Sequence, residues 1–203
     1  IGLPELARAA TRRRQLVGVG LAAGAAAVSL VPSGMPRVPA AETFYEIGVD
    51  MQHEGRAAEA AEMFRRGLEL SPEHADLHRA RGLALLRTGR EAEGRRHLKR
   101  AIELEPRAAT AWQALAGMAR GRREFDRARE LYEKGIEADP CNPRIRADLA
   151  TLLIDMGYYN GAAEVIERAR AVSPRPTAAV ERAASRLEKL NRMRRSQPKV
   201  PRE

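Results

Sequence analysis

Apolar residues return at helical spacing along much of this chain. Ala128, Leu131, Tyr132, Gly135 and Ile136 complete an i, i+3, i+4, i+7, i+8 stripe, and Leu149, Leu152, Leu153 and Met156 give the same stripe on a neighbouring segment. Val180, Ala183, Ala184, Leu187 and Leu190 share one face of the stretch Thr177 to Arg195, whose other face is highly charged. Each stripe predicts an amphipathic helix buried on one side only.

The stripes belong to a longer order. Pro72, Pro106, Pro140 and Pro174 are each 34 residues apart, and a period of that length predicts a repeat array. Twenty-four residues before each proline stand Gly48, Gly82, Ala116 and Ala150, and twelve before stand Ala60, Gly94, Ala128 and Ala162, all small. Eight before come the large residues Phe64, Leu98, Tyr132 and Ile166, and five before come Gly67, Ala101, Gly135 and Ala169. Small side chains let two helices approach closely, and the large one fills the space between them. Gly55, Gly89 and Gly157 break each unit near its middle, with Gly121 two residues early in the third, because glycine takes the left-handed C-cap conformation without a Cβ penalty. The proline then ends the second helix. Each unit is therefore expected to be a pair of antiparallel helices of about a dozen residues.

These residues resemble the tetratricopeptide (TPR) family. Phe44, Ile47, Gly48, Ala60, Phe64 and Pro72 carry the likeness in the first unit, and Trp112, Leu115, Ala128, Tyr132 and Pro140 in the third. His78 and Arg146 stand where the family pattern has its first aromatic residue. The resemblance covers Ala41 to Pro176. It implies an all-α fold, an αα-superhelix of four helix pairs (41–74, 75–108, 109–142 and 143–176), followed by a capping helix over 177–195 and a disordered basic tail over 196–203.

Charge narrows the partner class. The net +9 at first suggests nucleic acid, but residues 41–176 carry 23 basic and 23 acidic side chains. The excess lies at the two ends, without the interleaved aromatics of a stacking platform, so no nucleic-acid partner is expected. Residues 41–74 hold three basic and eight acidic residues against nine and five in 75–108, so these neighbouring units should attract. The 32 arginines against four lysines fit a GC-rich bacterial genome. The single Cys141 excludes an internal disulfide and is expected to be a turn residue.

The first forty residues differ in kind. Arg12, Arg13 and Arg14 precede a 17-residue uncharged run, Gln15 to Val31, and Pro32, Pro36 and Pro39 follow it. Basic head, apolar run and breaker-rich exit form the layout of an export signal or a membrane anchor. A helix of that length spans roughly 25 Å, a little short of a ~30 Å hydrocarbon core. Thr11 to Leu16 resembles a twin-arginine export signal, and Val38-Pro39-Ala40 could end a cleavable one; an apolar helix packed on the first unit is the third reading. An anchor is favoured over a cleaved signal, with further residues expected upstream of Ile1. The arginines place the N-terminal side in the cytoplasm and the repeats in the periplasm, or exported; a cytoplasmic array is the alternative.

No P-loop or dinucleotide fingerprint is present, since Gly18, Gly20 and Gly24 lie inside the apolar run, and no cofactor is expected. His74 and His78 are four apart, but no cysteine or third histidine accompanies them at ligand spacing, so no metal site is expected. The TPR resemblance implies instead a concave groove lined by the first helix of each pair. Its offsets fall on Tyr45, Val49 and Gln52; on Arg79, Leu83, Leu86 and Arg87; on Gln113, Gly117 and Arg120; and on Arg144, Ala147, Thr151 and Asp155. Arg79, Arg87, Arg120 and Arg144 are expected to meet carboxylates bidentately. Family members that clamp a chaperone's terminal carboxylate use Lys and Asn where Tyr45 and Val49 stand, which argues against that role. The expected function is a non-enzymatic scaffold binding a peptide or partner helix. The alternatives are the outer half of a larger membrane receptor or kinase, and an envelope-assembly factor that forms homo-oligomers.

Overall fold

The turn inside each unit sets the helix pairing. The computed structural model describes residues 40–172 and 177–196, and in them Gly55, Gly89 and Gly157 hold φ of 80°, 78° and 81°. The next N–H in each case reaches back across the turn, from Arg56 to Met51 O (2.9 Å), Arg90 to Leu85 O (2.9 Å) and Tyr158 to Leu153 O (2.8 Å). With the 3.1 Å bonds from Gly55 to Gln52, Gly89 to Leu86 and Gly157 to Ile154, this makes a Schellman C-cap. The third unit departs from the sequence expectation. Gly121 is the last residue of its helix, and Arg123, at the offset of the other glycines, takes the positive φ of 60°. Its bonds are the same as theirs, Arg123 N to Arg120 O at 2.9 Å and Glu124 N to Ala119 O at 3.0 Å. The backbone motif persists without its usual residue.

The helices so defined are α1 (Ala40–His53), α2 (Ala57–Leu70), α3 (Ala75–Arg87), α4 (Glu91–Leu104), α5 (Ala109–Gly121), α6 (Phe125–Ala138), α7 (Pro143–Asp155), α8 (Tyr159–Val172) and α9 (Ala178–Ser196). The array is all-α, four antiparallel pairs and one terminal helix among the described residues. The apolar run 15–31, the basic tail from 197 onward and Pro174 lie outside those residues.

Small residues hold the pairs together as the period implied. Phe64, Leu98, Tyr132 and Ile166 are all at most 2% exposed, each wedged between the helices of its unit. A Cβ on Gly82 would stand 2.8 Å from Leu98 Cγ and 3.1 Å from Gly94 O, so α3 and α4 touch through bare backbone. Between units the joint is a small residue on the second helix against a large one on the next first helix. Leu77 fills the space at Gly67, and Ile145 the space at Gly135. At the middle junction the corresponding residues are Ala101 and Ala111, so it lacks that aliphatic filler. Leu98, Ala101, Ala108, Ala111 and Leu115 accordingly form a small core of their own, between a larger one at each end.

The first helices of successive units touch, α1 on α3, α3 on α5 and α5 on α7, with no comparable packing among the second helices. The first helices thus line the inner face and the second helices splay outside. At the far end α9 packs on α7 and α8 with Val180, Ala183 and Leu187 buried, which covers the last apolar surface. Ion pairs across units supplement the packing, among them Arg100–Glu73 at 3.1 Å, Arg122–Glu91 at 2.9 Å and Arg186–Asp155 at 2.7 Å. Exposed pairs of this kind contribute about 0–1 kcal/mol each. Packing holds the stack.

Candidate peptide-binding face

On each first helix, residues four and seven or eight apart project to the same side. This places Tyr45, Val49 and Gln52 of α1, Arg79, Leu83 and Leu86 of α3, and Gln113, Gly117 and Arg120 of α5 on the inner face. Side-chain bonds link the rows. Arg79 Nη2 donates to the Tyr45 hydroxyl at 3.2 Å, Gln52 Nε2 to Ala80 O at 3.4 Å, and Gln113 Nε2 to Asp148 Oδ2 at 2.5 Å. Tyr45 in turn rests on the Phe64 ring, with centroids 6.0 Å apart.

Four of the sequence-derived positions have a different role from the one expected of them. Arg79 is bound by Asp76 on its own helix at 2.6 Å as well as by Tyr45, so it forms the wall of the face instead of a free carboxylate receptor. Ala147 is 2% exposed and offers no surface. Thr151 turns its hydroxyl back to Ala147 O at 2.8 Å, and Asp155 is paired with Arg186 of α9. Arg87, Arg120 and Arg144 make no ion pair among the described residues. Arg87 and Arg144 are exposed and Arg120 half-buried. Val49, Leu83 and Leu86 are half-buried, an apolar strip running between the polar rows.

The strip widens between α3 and α5. Leu86, Ala114, Gly117, Met118 and Gly121 line an open depression of about 410 Å³, with the Glu91–Arg122 pair at its edge. A Cβ on Gly117 or Gly121 would meet nothing within 4 Å, so backbone is presented directly to whatever enters. Beyond it burial pushes the Tyr132 phenol up to about 12, with Asp148 and Asp155 adding to the rise and Arg120 opposing it. The face combines apolar floor, bare backbone and unpaired guanidinium groups.

Sequence reasoning missed a role for the residue six positions after Pro72, Pro106 and Pro140. His78 Nε2 donates to Pro72 O at 2.9 Å, Trp112 Nε1 to Pro106 O at 3.0 Å, and Arg146 Nη1 to Pro140 O at 2.5 Å. His78 and Arg146, read as departures from an aromatic position, thus satisfy its second requirement, an N–H donor that pins the proline turn. The shared donor chemistry of His, Trp and Arg was the available signal. With Nε2 donating, His78 accepts at Nδ1 from His97 Nδ1 at 2.9 Å, which joins α3 to α4. His74 caps α3, its Nδ1 accepting from Leu77 N at 3.5 Å. No cluster of three or more metal-ligating side chains occurs among the described residues.

A family model described as tetratricopeptide repeat matches residues 52–120 and 119–187. No curated protein matches the chain by sequence. Among solved structures the chain is similar to MamA, at 23% identity and TM-score 0.59 over 66% of this chain and 78% of that one. It is similar to PilF of Pseudomonas aeruginosa, at 19% identity and TM-score 0.66 over 76% and 70%. It is also similar to the first TPR of Spaghetti (RPAP3) bound to the HSP90 peptide SRMEEVD, at 19% identity and TM-score 0.54 over 58% and 94%. At these identities the likeness shows a shared fold.

Proposed function

The chain belongs to the tetratricopeptide repeat family, and from that premise we propose that it is a non-catalytic scaffold whose inner face holds a segment of a partner protein. The observation that carries this reading is the depression at Leu86 and Gly117, apolar and open to the backbone, with Arg120 in the same row. A bulky apolar side chain of the partner seats there, and neighbouring carboxylates pair with Arg120 and Arg87. The Spaghetti structure, bound to the HSP90 peptide SRMEEVD, supports the use of this fold for such segments. Tyr45 and Val49 leave no Lys and Asn for a terminal-carboxylate clamp, so the segment here is an internal one.

Place of action is part of the proposal. The basic-then-apolar layout of 12–31 supports an array carried at a bacterial inner membrane and facing the periplasm. A photo-crosslinking residue at Leu83 of the full chain tests the face in its native envelope. It should trap a discrete polypeptide, and Arg120→Glu should reduce that product at least fivefold. Equal trapping from the outward position Ala163, or indifference to Arg120→Glu, would discard the groove.

A further inference from the structure

The splay of the second helices opens another cleft, on the outer side of the middle junction. Ile102 of α4, Leu115 and Met118 of α5 and Leu131 of α6 form its apolar lining, and its volume is about 240 Å³. A closed apolar cavity of ~150 Å³ takes up benzene, so this space accommodates one large side chain. On α5, Trp112 and Leu115 face this cleft while Gln113, Gly117 and Arg120 face the groove, and Met118 and Arg122 stand between them, lining both the cleft and the depression at Gly117.

The charge around it is unbalanced in a specific way. Glu103 at the rim is taken by Arg100 at 3.1 Å, Glu124 by Arg127 at 3.1 Å, and Arg122 is held by Glu91 at 2.9 Å. Arg95 and Lys99 remain, one turn apart on α4 and both lining the cleft, with no ion pair among the described residues. An apolar space beside two uncompensated cations asks for an apolar group flanked by anions.

We propose that this outer cleft is a second docking site, for a segment of a partner protein that offers one bulky apolar side chain flanked by two carboxylates. The apolar group enters between α4 and α6, and the carboxylates pair with Arg95 and Lys99, whose spacing matches residues three or four apart on a helix. With the groove depression and this cleft side by side along α5, sharing Met118 and Arg122, one array brings two segments together and raises the effective concentration of each for the other.

Trp112 is the only tryptophan of the chain and lines the cleft, so its emission reports occupancy. The probe is the capped hexapeptide Asp-Glu-Phe-Leu-Asp-Glu, titrated into the full chain. A saturable change in emission is expected, at least tenfold weaker in affinity for Arg95→Glu/Lys99→Glu and for a probe with Ala in place of Phe. The milder Arg95→Gln/Lys99→Gln pair, which removes charge without reversing it, should weaken binding at least threefold and guards against misfolding of the first. Arg87→Glu, at an exposed groove residue, should leave the titration unchanged. No saturable change, affinity equal to the parent's in both charge variants, or loss on Arg87→Glu would overturn the site, the last by assigning the probe to the groove.

Discussion

Arg123 holds a conformation that the other three units give to glycine. A left-handed backbone with a Cβ costs about 1–2 kcal/mol, and Arg123 makes no side-chain bond among the described residues that would offset it. Arg123→Gly is therefore expected to stabilise the array by about 1 kcal/mol, seen as a rise in the thermal midpoint of roughly 2–4 °C by circular dichroism. No change or a fall would mean that the Arg123 side chain compensates for its backbone. The donors at His78, Trp112 and Arg146 show the same economy at the turns. Three different side chains do one task, which is why a search for aromatics at that position misjudges two of them.

At the scale of elements, α3 and α4 are joined by the His78–His97 pair. Burial first, and then Arg81, hold His97 down at about 4, and burial likewise holds His78 below its usual 6.5, opposed by its hydrogen bond to Pro72 O and by Glu103 and aided by Arg100 and Arg81. The folded state thus favours the neutral pair. Its contribution is complete above the unfolded value of 6.5 and is lost as pH falls from there towards about 4. The carboxylates Glu59, Glu62, Glu93 and Glu181, held below the ordinary 4.5 by hydrogen bonds from Arg56, Arg65, Arg90 and Arg170, add their loss only in more acidic solution. Urea midpoints at pH 7.5, 6 and 5 should therefore fall in the parent chain and fall less in His97→Gln, which keeps an N–H for His78. Parallel profiles would remove the pair from the account.

Over the whole molecule, stability passes between neighbours along the stack. Val180 of α9 is fully buried where α9 packs on α7 and α8, and an unpaired charge there costs several kcal/mol. Val180→Asp should lower hydrogen-exchange protection of α8 and α9 amides at least tenfold while leaving α1 and α2 unchanged. A uniform loss would show one cooperative block, contrary to the divided core.

The same division separates what the chain carries in one dimension from what needs three. Period, helix pairing and the buried sets Ala60–Phe64–Gly67 and Ala128–Tyr132–Gly135 were legible because each depends on residues a few turns apart within one unit. The positive φ at Arg123 was not, since glycine two residues earlier marked the turn equally well. Which groove residues face a ligand was not legible either. Arg79 meets Tyr45, Gln113 meets Asp148 and Arg186 meets Asp155 across 34, 35 and 31 residues, so their partners depend on how units stack. The outer cleft is the clearest case. Ile102, Leu115 and Leu131 are ordinary apolar positions in the sequence, and only the splay of α4 from α6 brings them round one space with Arg95 and Lys99 beside it.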